Sequence, residues 1–343
     1  MMHQQNPYIP NIPSVRETVA RPLWSVMIPH YNCVEYLRET LASVLTQAPS
    51  SDVMEIVVVD NQSTEGDPEA VVAELGQGRV KFYQQQRNVG MLKNFQTCLE
   101  LSRGQLIHIL HSDDCVREGF YQKMTETFSK NPDIGAAFCR SVYIDMYGQS
   151  QGLSSLELPE SGILPSNWIK RIAEICCISV PSLAVVRREV YEKLGGLDSR
   201  CGLSSDWEMW VRIFANYPVW FEAEPLAMWR IHASSNNVTN AKSMTFIQEN
   251  FQTIEIIFQS HLHKLVNSKL HRKVKKNCAF LALEAAKLLM QKGDISGARA
   301  YLQTALQYSR SWKVLLAASR IILVNGLLAI LQYSSLKVES RVN

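Results

Sequence analysis

Leu106-Ile107-His108-Ile109-Leu110-His111-Ser112-Asp113-Asp114 is the stretch whose polarity decides the fold. Its first five residues are apolar save for His108, as in a short strand buried on both faces, and the character changes abruptly after Leu110. A strand that ends this way delivers two adjacent carboxylates, Asp113 and Asp114, to the edge of a sheet. Working outward from it, β-branched runs at Ser25–Ile28, Glu55–Val59, Val80–Tyr83 and Gly135–Phe138 read as further strands. Helical patterns at Val34–Leu45, Pro68–Leu75, Asn88–Ser102 and Phe120–Ser129 separate them. Such alternation predicts an α/β fold with a mostly parallel, doubly wound sheet.

Sheets of this kind bind ligands beyond the carboxyl ends of their strands. The residues there are polar: Pro29-His30-Tyr31-Asn32, Asp60-Asn61-Gln62-Ser63 and His111-Ser112-Asp113-Asp114. Further on, residues 145–165 are rich in Gly, Ser, Gln and Pro and read as a loop able to act as a flap. Residues 168–192 read as a helix, a Ser/Pro turn and a strand-helix passage, which Gly195-Gly196 breaks. Ser205 or Asp206 then caps a helix whose first turn carries Glu208.

The chain has 343 residues, 46% hydrophobic and 20% charged, enough for one full core and a smaller second one. Its net charge of +3 divides unevenly, from −7 over residues 1–240 to +10 over residues 241–343. Three segments are therefore expected: a mobile leader over 1–22, a catalytic domain over 23–240, and a basic, all-helical extension over 241–343. The leader has no apolar stretch behind a basic one, so a cytoplasmic location is expected. The eight cysteines lack CxxC pairing and read as free thiols. Asn61-Gln62-Ser63 and Asn237-Val238-Thr239 match the glycosylation acceptor pattern by chance. In the extension, Cys278–Gln291 and Ile295–Ser309 flank a Lys292-Gly293-Asp294 turn, and Val314–Leu331 reads as a packed or interfacial helix because Arg320 interrupts its apolar run. The run Lys269 to Lys276 fits either a solvated helix face or contact with an anionic membrane.

Asp113 and Asp114 repel each other unless a cation joins them, and a hard divalent ion shared with substrate phosphates is a common solution. Capping of the Phe120 helix is the alternative. Asp60 ends a buried strand where a carboxylate can accept hydrogen bonds from a nucleobase. Arg87-Asn88-Val89-Gly90 puts a cation and a turn ahead of a helix N-terminus, a favourable place for phosphate.

Taken in order, Ser25 to Asn32, Val57 to Thr64, Arg87 to Gly90 and Leu110 to Asp114 resemble the inverting family-2 glycosyltransferases of GT-A fold. Gly195 to Asp198, Asp206 to Arg212 and Ala227 to His232 continue the likeness, which spans nearly two-thirds of the chain. The resemblance implies that Pro29 and Tyr31 line a nucleotide pocket, with Tyr31 stacked on the base and Asp60 hydrogen-bonded to it, favouring uracil. It assigns Arg87, Asp113, Arg230 and His232 to the donor, and Asp113 and Asp114 to Mg²⁺ or Mn²⁺. His111 departs from the pattern, standing where many members carry an Asp. Asp206 corresponds to the catalytic base, preferred over Glu208; Trp207 and Glu208 would meet the acceptor. The implied activity is hexosyl transfer from a nucleotide-sugar donor, a UDP-sugar by preference, to a saccharide or lipid-linked saccharide in cell-envelope polysaccharide biosynthesis. Nucleic acid is not an expected partner, and peripheral membrane contact through 241–343 is. A nucleotidyltransferase would need a glycine-rich, basic loop after the first strand, which Pro29 to Asn32 do not form. A non-catalytic scaffold would have no use for all four acids.

Overall fold

The structure is a computed structural model that describes residues 6–16, 20–232, 243–263 and 268–323. The chain divides into two compact units, Met1–Ser235 and Asn236–Asn343.

The first unit is an α/β layer built on one sheet. In chain order its elements are β1 (Trp24–His30), α1 (Val34–Leu45), β2 (Met54–Asp60), α2 (Pro68–Gly76), β3 (Lys81–Gln84), α3 (Met91–Leu101), β4 (Leu106–Ile109), β5 (Cys115–Val116), α4 (Phe120–Lys130) and β6 (Ala136–Ile144). There follow β7 (Ser150–Leu153), β8 (Gly162–Ile163), α5 (Ile169–Glu174), β9 (Ala184–Arg187), α6 (Arg188–Leu194), α7 (Ser205–Asn216) and β10 (Val219–Arg230). The strand order is β3-β2-β1-β4-β9-β6-β10-β5, with β7 added on β6 and β8 on β10. Strands β3, β2, β1 and β4 run parallel; β9 is antiparallel between β4 and β6, and β10 lies parallel to β6.

β1 and β2 are buried along their whole length, as their unbroken apolar runs require. The ladder between β1 and β4 stops at Met27, two residues before Pro29, which has no N–H to extend it. The ladder to β2 continues to His30 opposite Asp60, so both end at the same edge. Helix α1 buries Leu37, Leu41 and Val44, spaced three and four apart, and α2 starts at an Asp67 cap bonded to the Ala70 N–H (2.9 Å) with Pro68 behind it.

The expectation of a mobile leader is corrected for residues 6–16. Ile12 is 1% exposed, and the carbonyls of Tyr8, Pro10 and Pro13 accept hydrogen bonds from Ser199, Gly196 and Arg188. Gly195 and Gly196 make this docking possible: Gly195 has φ of +82°, and a Cβ there would lie 2.5 Å from Ile9. The flap region contains β7 and β8, paired along the rim of β6 and β10.

The second unit contains α8 (Met244–Ile256), a π-helical turn at Ile257–His261, α9 (Ser268–Gln291) and α10 (Ile295–Tyr308), followed by helix 312–323. Gly293 (φ +80°) makes the α9–α10 turn, and Asp294 caps α10 through the Gly297 N–H (2.8 Å). Among the described residues no helix is long and apolar enough to cross a membrane. The expected helix Val314–Leu331 passes beyond them after residue 323.

Candidate active site

The loops that follow β1, β2 and β3 are tied to one another by short polar side chains. Asn32, at φ +50°, accepts the N–H groups of Thr64 (2.8 Å) and Glu65 (3.2 Å), while Ser63 Oγ accepts the Asn32 N–H. Asn61 donates to Asn88 and accepts the Val89 N–H, joining the β2 loop to the start of α3. Asn and Asp suit such positions because they tolerate left-handed backbone and bond to neighbouring amides. Asp60 is fully buried and accepts from the Ser63 N–H, the Ser63 hydroxyl (2.5 Å) and Gln84 Nε2 (3.1 Å), which fixes this loop. Tyr31 is 44% exposed above it, Arg87 is exposed, and Pro29 is buried in the end of β1.

His30 ends β1, which lies between β2, ending at Asp60, and β4, followed by the loop that carries Asp113. Burial pushes its pKa down to about 4, with the charges of those two acids opposing, and its Nε2 is buried without a hydrogen-bond partner.

Asp114 sits beneath Asp113. Its carboxylate accepts the Ser182 hydroxyl (2.5 Å) and the Arg230 N–H (2.9 Å), and only 1% of its side chain is exposed, against 23% for Asp113. Asp113 Oδ2 is 3.0 Å from His232 Nε2. Burial and the Asp113 charge hold the Asp114 pKa well above the usual carboxylate range. Burial also opposes ionisation of Asp113, but the bond from His232 and the nearby His111 and His232 rings outweigh it and lower its pKa. His111 joins this pair: ligand atoms of His111, Asp113 and Asp114 all lie within 4.8 Å of one another.

Asp206 stands in the first turn of α7, where the helix dipole favours an ionised acid. Burial prevails, and the pKa rises to about 7 although the Trp207 N–H donates to Oδ1 at 2.7 Å. Its charge is felt by Cys176, six residues before the Ser182 that holds Asp114.

Three expected site residues take other places. Glu208 is fully buried and paired through both oxygens with Arg212 (3.0 Å each), which also donates to the carbonyls of Leu194 and Gly196, so acceptor contact is ruled out by its packing. Trp207 is 7% exposed and its indole N–H donates to the Ile172 carbonyl (2.6 Å), which makes it a packing residue. The side chain of Arg230 is fully buried, with the guanidinium donating to Asp113 O, Asp145 O and Glu39 Oε2 and lying over the Tyr36 ring; it positions the acidic loop instead of meeting a diphosphate. Conversely, Ser182 and His30 belong to the site although their segments gave little signal. Pro181-Ser182 read only as a turn, and His30 as one polar residue among four.

This architecture, a parallel sheet with acids at the carboxyl ends of its strands and an antiparallel insertion, is that of the GT-A fold. Residues 25–195 match the family model described as Glycosyl transferase family 2, and the chain belongs to that family of glycosyltransferases. A Mycobacterium tuberculosis protein without characterised function is 28% identical over 229 residues, which cover 64% of this chain and 70% of that protein. An uncharacterized glycosyltransferase of Methanocaldococcus jannaschii is 26% identical, covering 65% of this chain and 75% of its own. Among solved structures, S. aureus TarS 1–349 in complex with UDP-GlcNAc is similar with a TM-score of 0.51 at 14% identity, over 83% of this chain and 91% of that one. The mannosyltransferase PcManGT from Pyrobaculum calidifontis, in complex with GDP-Man and Mn²⁺, gives 0.51 at 16% identity over 95% and 84%.

Proposed function

We propose that the enzyme is an inverting hexosyltransferase that moves a sugar from a UDP-sugar to a hydroxyl of a saccharide or lipid-linked saccharide, with Asp206 as the base. The observation that carries this reading is the Asp206 carboxylate, whose pKa of about 7 suits a group that must accept a proton near neutrality. In one step the acceptor oxygen bonds to the anomeric carbon, the bond from that carbon to the diphosphate oxygen breaks, and the hydroxyl proton passes to Asp206. A single displacement inverts the anomeric centre and needs no protein nucleophile. Tyr31 offers an exposed ring for the base, the loop ordered by Asp60 faces the nucleoside, and Arg87 approaches the diphosphate. His232 orients Asp113.

The acidic cluster suits a divalent ion. Its three ligand atoms lie within 4.8 Å of one another, and His111 Nδ1 faces the Asp114 carboxylate at 3.8 Å. Asp113 and Asp114 would hold Mg²⁺ or Mn²⁺, and such an ion, when bound, neutralises charge on the departing diphosphate. The test is transfer and donor hydrolysis across a panel of nucleotide sugars, with Mn²⁺ and with chelator. Chelator-sensitive turnover of a UDP-sugar is expected. Absence of turnover and of any thermal shift with every donor would overturn the reading.

A second reading concerns the helical unit, for which we propose peripheral contact with an anionic membrane surface carrying the acceptor at the cytoplasmic face. A groove of about 710 Å³ is lined by Lys269, Arg272, Lys273, Lys275, Lys276 and Arg310. Trp312, Leu315, Ile322 and Leu323 on the following helix are 49–69% exposed. Basic residues beside exposed apolar ones favour an interface, at about 1 kcal/mol per charge near the surface. The full chain should float with phosphatidylglycerol vesicles and not with phosphatidylcholine ones, and Arg272→Glu/Lys276→Glu should abolish flotation. Flotation unchanged by the charge reversal would refute the contact.

A further inference from the structure

His111 is where this chain leaves the acidic pattern it otherwise follows, and its surroundings are unusual for a histidine. The ring stacks on Phe95, with centroids 5.3 Å apart and planes at 18°, and the backbone N–H is fixed by Ser182 Oγ (3.0 Å). The imidazole is thus held in place by packing and by its backbone. Neither ring nitrogen is held by a hydrogen bond: Nε2 is buried without a partner, and Nδ1 stands 3.8 Å from Asp114 Oδ2, beyond hydrogen-bond range. Nδ1 is therefore the ring nitrogen open to a ligand beside the Asp114 carboxylate.

The separation of Nδ1 from Oδ2 suits an ion shared between them. Two ligand atoms each bonded at about 2.1 Å to the same ion lie about 3.0 Å apart when adjacent and about 4.2 Å apart when opposed. The 3.8 Å between Nδ1 and Oδ2 falls inside that range. The Ser182 hydroxyl holds both the Asp114 carboxylate and the His111 backbone, so the two ligands share one support.

We propose that His111 is a direct nitrogen ligand of the divalent cation, and that the resulting His-Asp-Asp set selects Mn²⁺ or Co²⁺ over Mg²⁺. The inference rests on the proposed cation site at Asp113 and Asp114 and adds to it the identity of the ion. Mg²⁺ favours oxygen ligands in near-ideal octahedra and gives up water reluctantly, whereas first-row transition ions accept an imidazole nitrogen more readily, Co²⁺ more than Mn²⁺. A ring replacing a carboxylate also removes one negative charge, which weakens a hard cation most.

The test uses the full chain with UDP, titrated with Mn²⁺, Co²⁺ and Mg²⁺, reading free Mn²⁺ by electron paramagnetic resonance and following thermal shift. Pulsed resonance on bound Mn²⁺ should show coupling to an imidazole ¹⁴N, a signature that needs no variant and survives any folding defect in one. His111→Asp should remove that coupling, keep Mn²⁺ binding, and lower the Mn²⁺-to-Mg²⁺ affinity ratio by about tenfold or more. Bound Mn²⁺ without nitrogen coupling overturns the proposal and leaves the cation site standing; so does an unchanged ratio in the Asp variant. Failure of the wild-type chain to bind any of the three ions overturns the cation reading itself.

Discussion

Asp206→Asn separates chemistry from binding and exposes the energetics of a half-buried acid. In the folded chain the pKa of Asp206 rises from 3.8 to about 7, with burial as the cause. The unfolded chain releases this proton near pH 4 and the folded one keeps it to about pH 7, so the ionised form is unfavourable only in the folded state. Asp206 therefore lowers stability progressively as pH rises between those limits, at up to about 1.4 kcal/mol per pH unit. Asn cannot ionise, and its Oδ1 still accepts the Trp207 N–H. The variant should gain on the wild type by on the order of 3 kcal/mol between pH 5 and pH 8. Its turnover should fall by about 10²- to 10⁴-fold with UDP affinity unchanged, and wild-type kcat should drop tenfold per pH unit below about pH 7. Urea unfolding at the two pH values measures the first effect and single-turnover transfer the second. Equal stability differences at both pH values would refute the raised pKa, and normal turnover would refute the base.

Glu208→Gln strands the buried Arg212 and should cost about 3–5 kcal/mol in urea unfolding, with UDP affinity of the folded protein unaltered. Ser182→Ala removes the donor to Asp114 and the acceptor of the His111 N–H; Mn²⁺-dependent UDP binding, followed by calorimetry, should weaken about 10- to 100-fold. Tyr31→Ala should lower UDP affinity by about 1–3 kcal/mol if the ring stacks on the base, with Mn²⁺ affinity retained in the same calorimetric assay. Ile12→Ala should destabilise the first unit by about 2–5 kcal/mol by thermal or urea unfolding, whereas a mobile leader would give no change.

Much of the fold was legible because the signals are local. The runs ending at His30, Asp60 and Ile109 are buried on both faces, and such strands need no partner information to be recognised. The helices between them carry their own apolar spacing, and α2 its own Asp67 cap. β10 escaped notice because Glu222, Glu224 and Pro225 interrupt its apolar pattern, and its ladder with β6 shifts register there. Residues 6–16 dock where a mobile leader is expected because Pro, Asn and Gln content describes the chain and not the surface it meets; Ile12 finds its pocket only once α6 and Gly195-Gly196 are assembled.

At the site the sequence alone determined which acids stand at strand ends, because a change from apolar to polar residues marks where a buried strand emerges. It also marked His111 as the departure from the pattern. Only the tertiary structure decided which charges are free to act. Glu208, Arg212 and Arg230 look as available as Asp113 in a linear string, yet Glu208 and Arg212 close on each other and on the Leu194 and Gly196 carbonyls, and Arg230 is enclosed by Asp113, Asp145 and Glu39. Burial and pairing are sums over neighbours brought together by folding, so the rise of Asp206 to about 7 and the bond from Ser182 to Asp114 exist only in the folded chain.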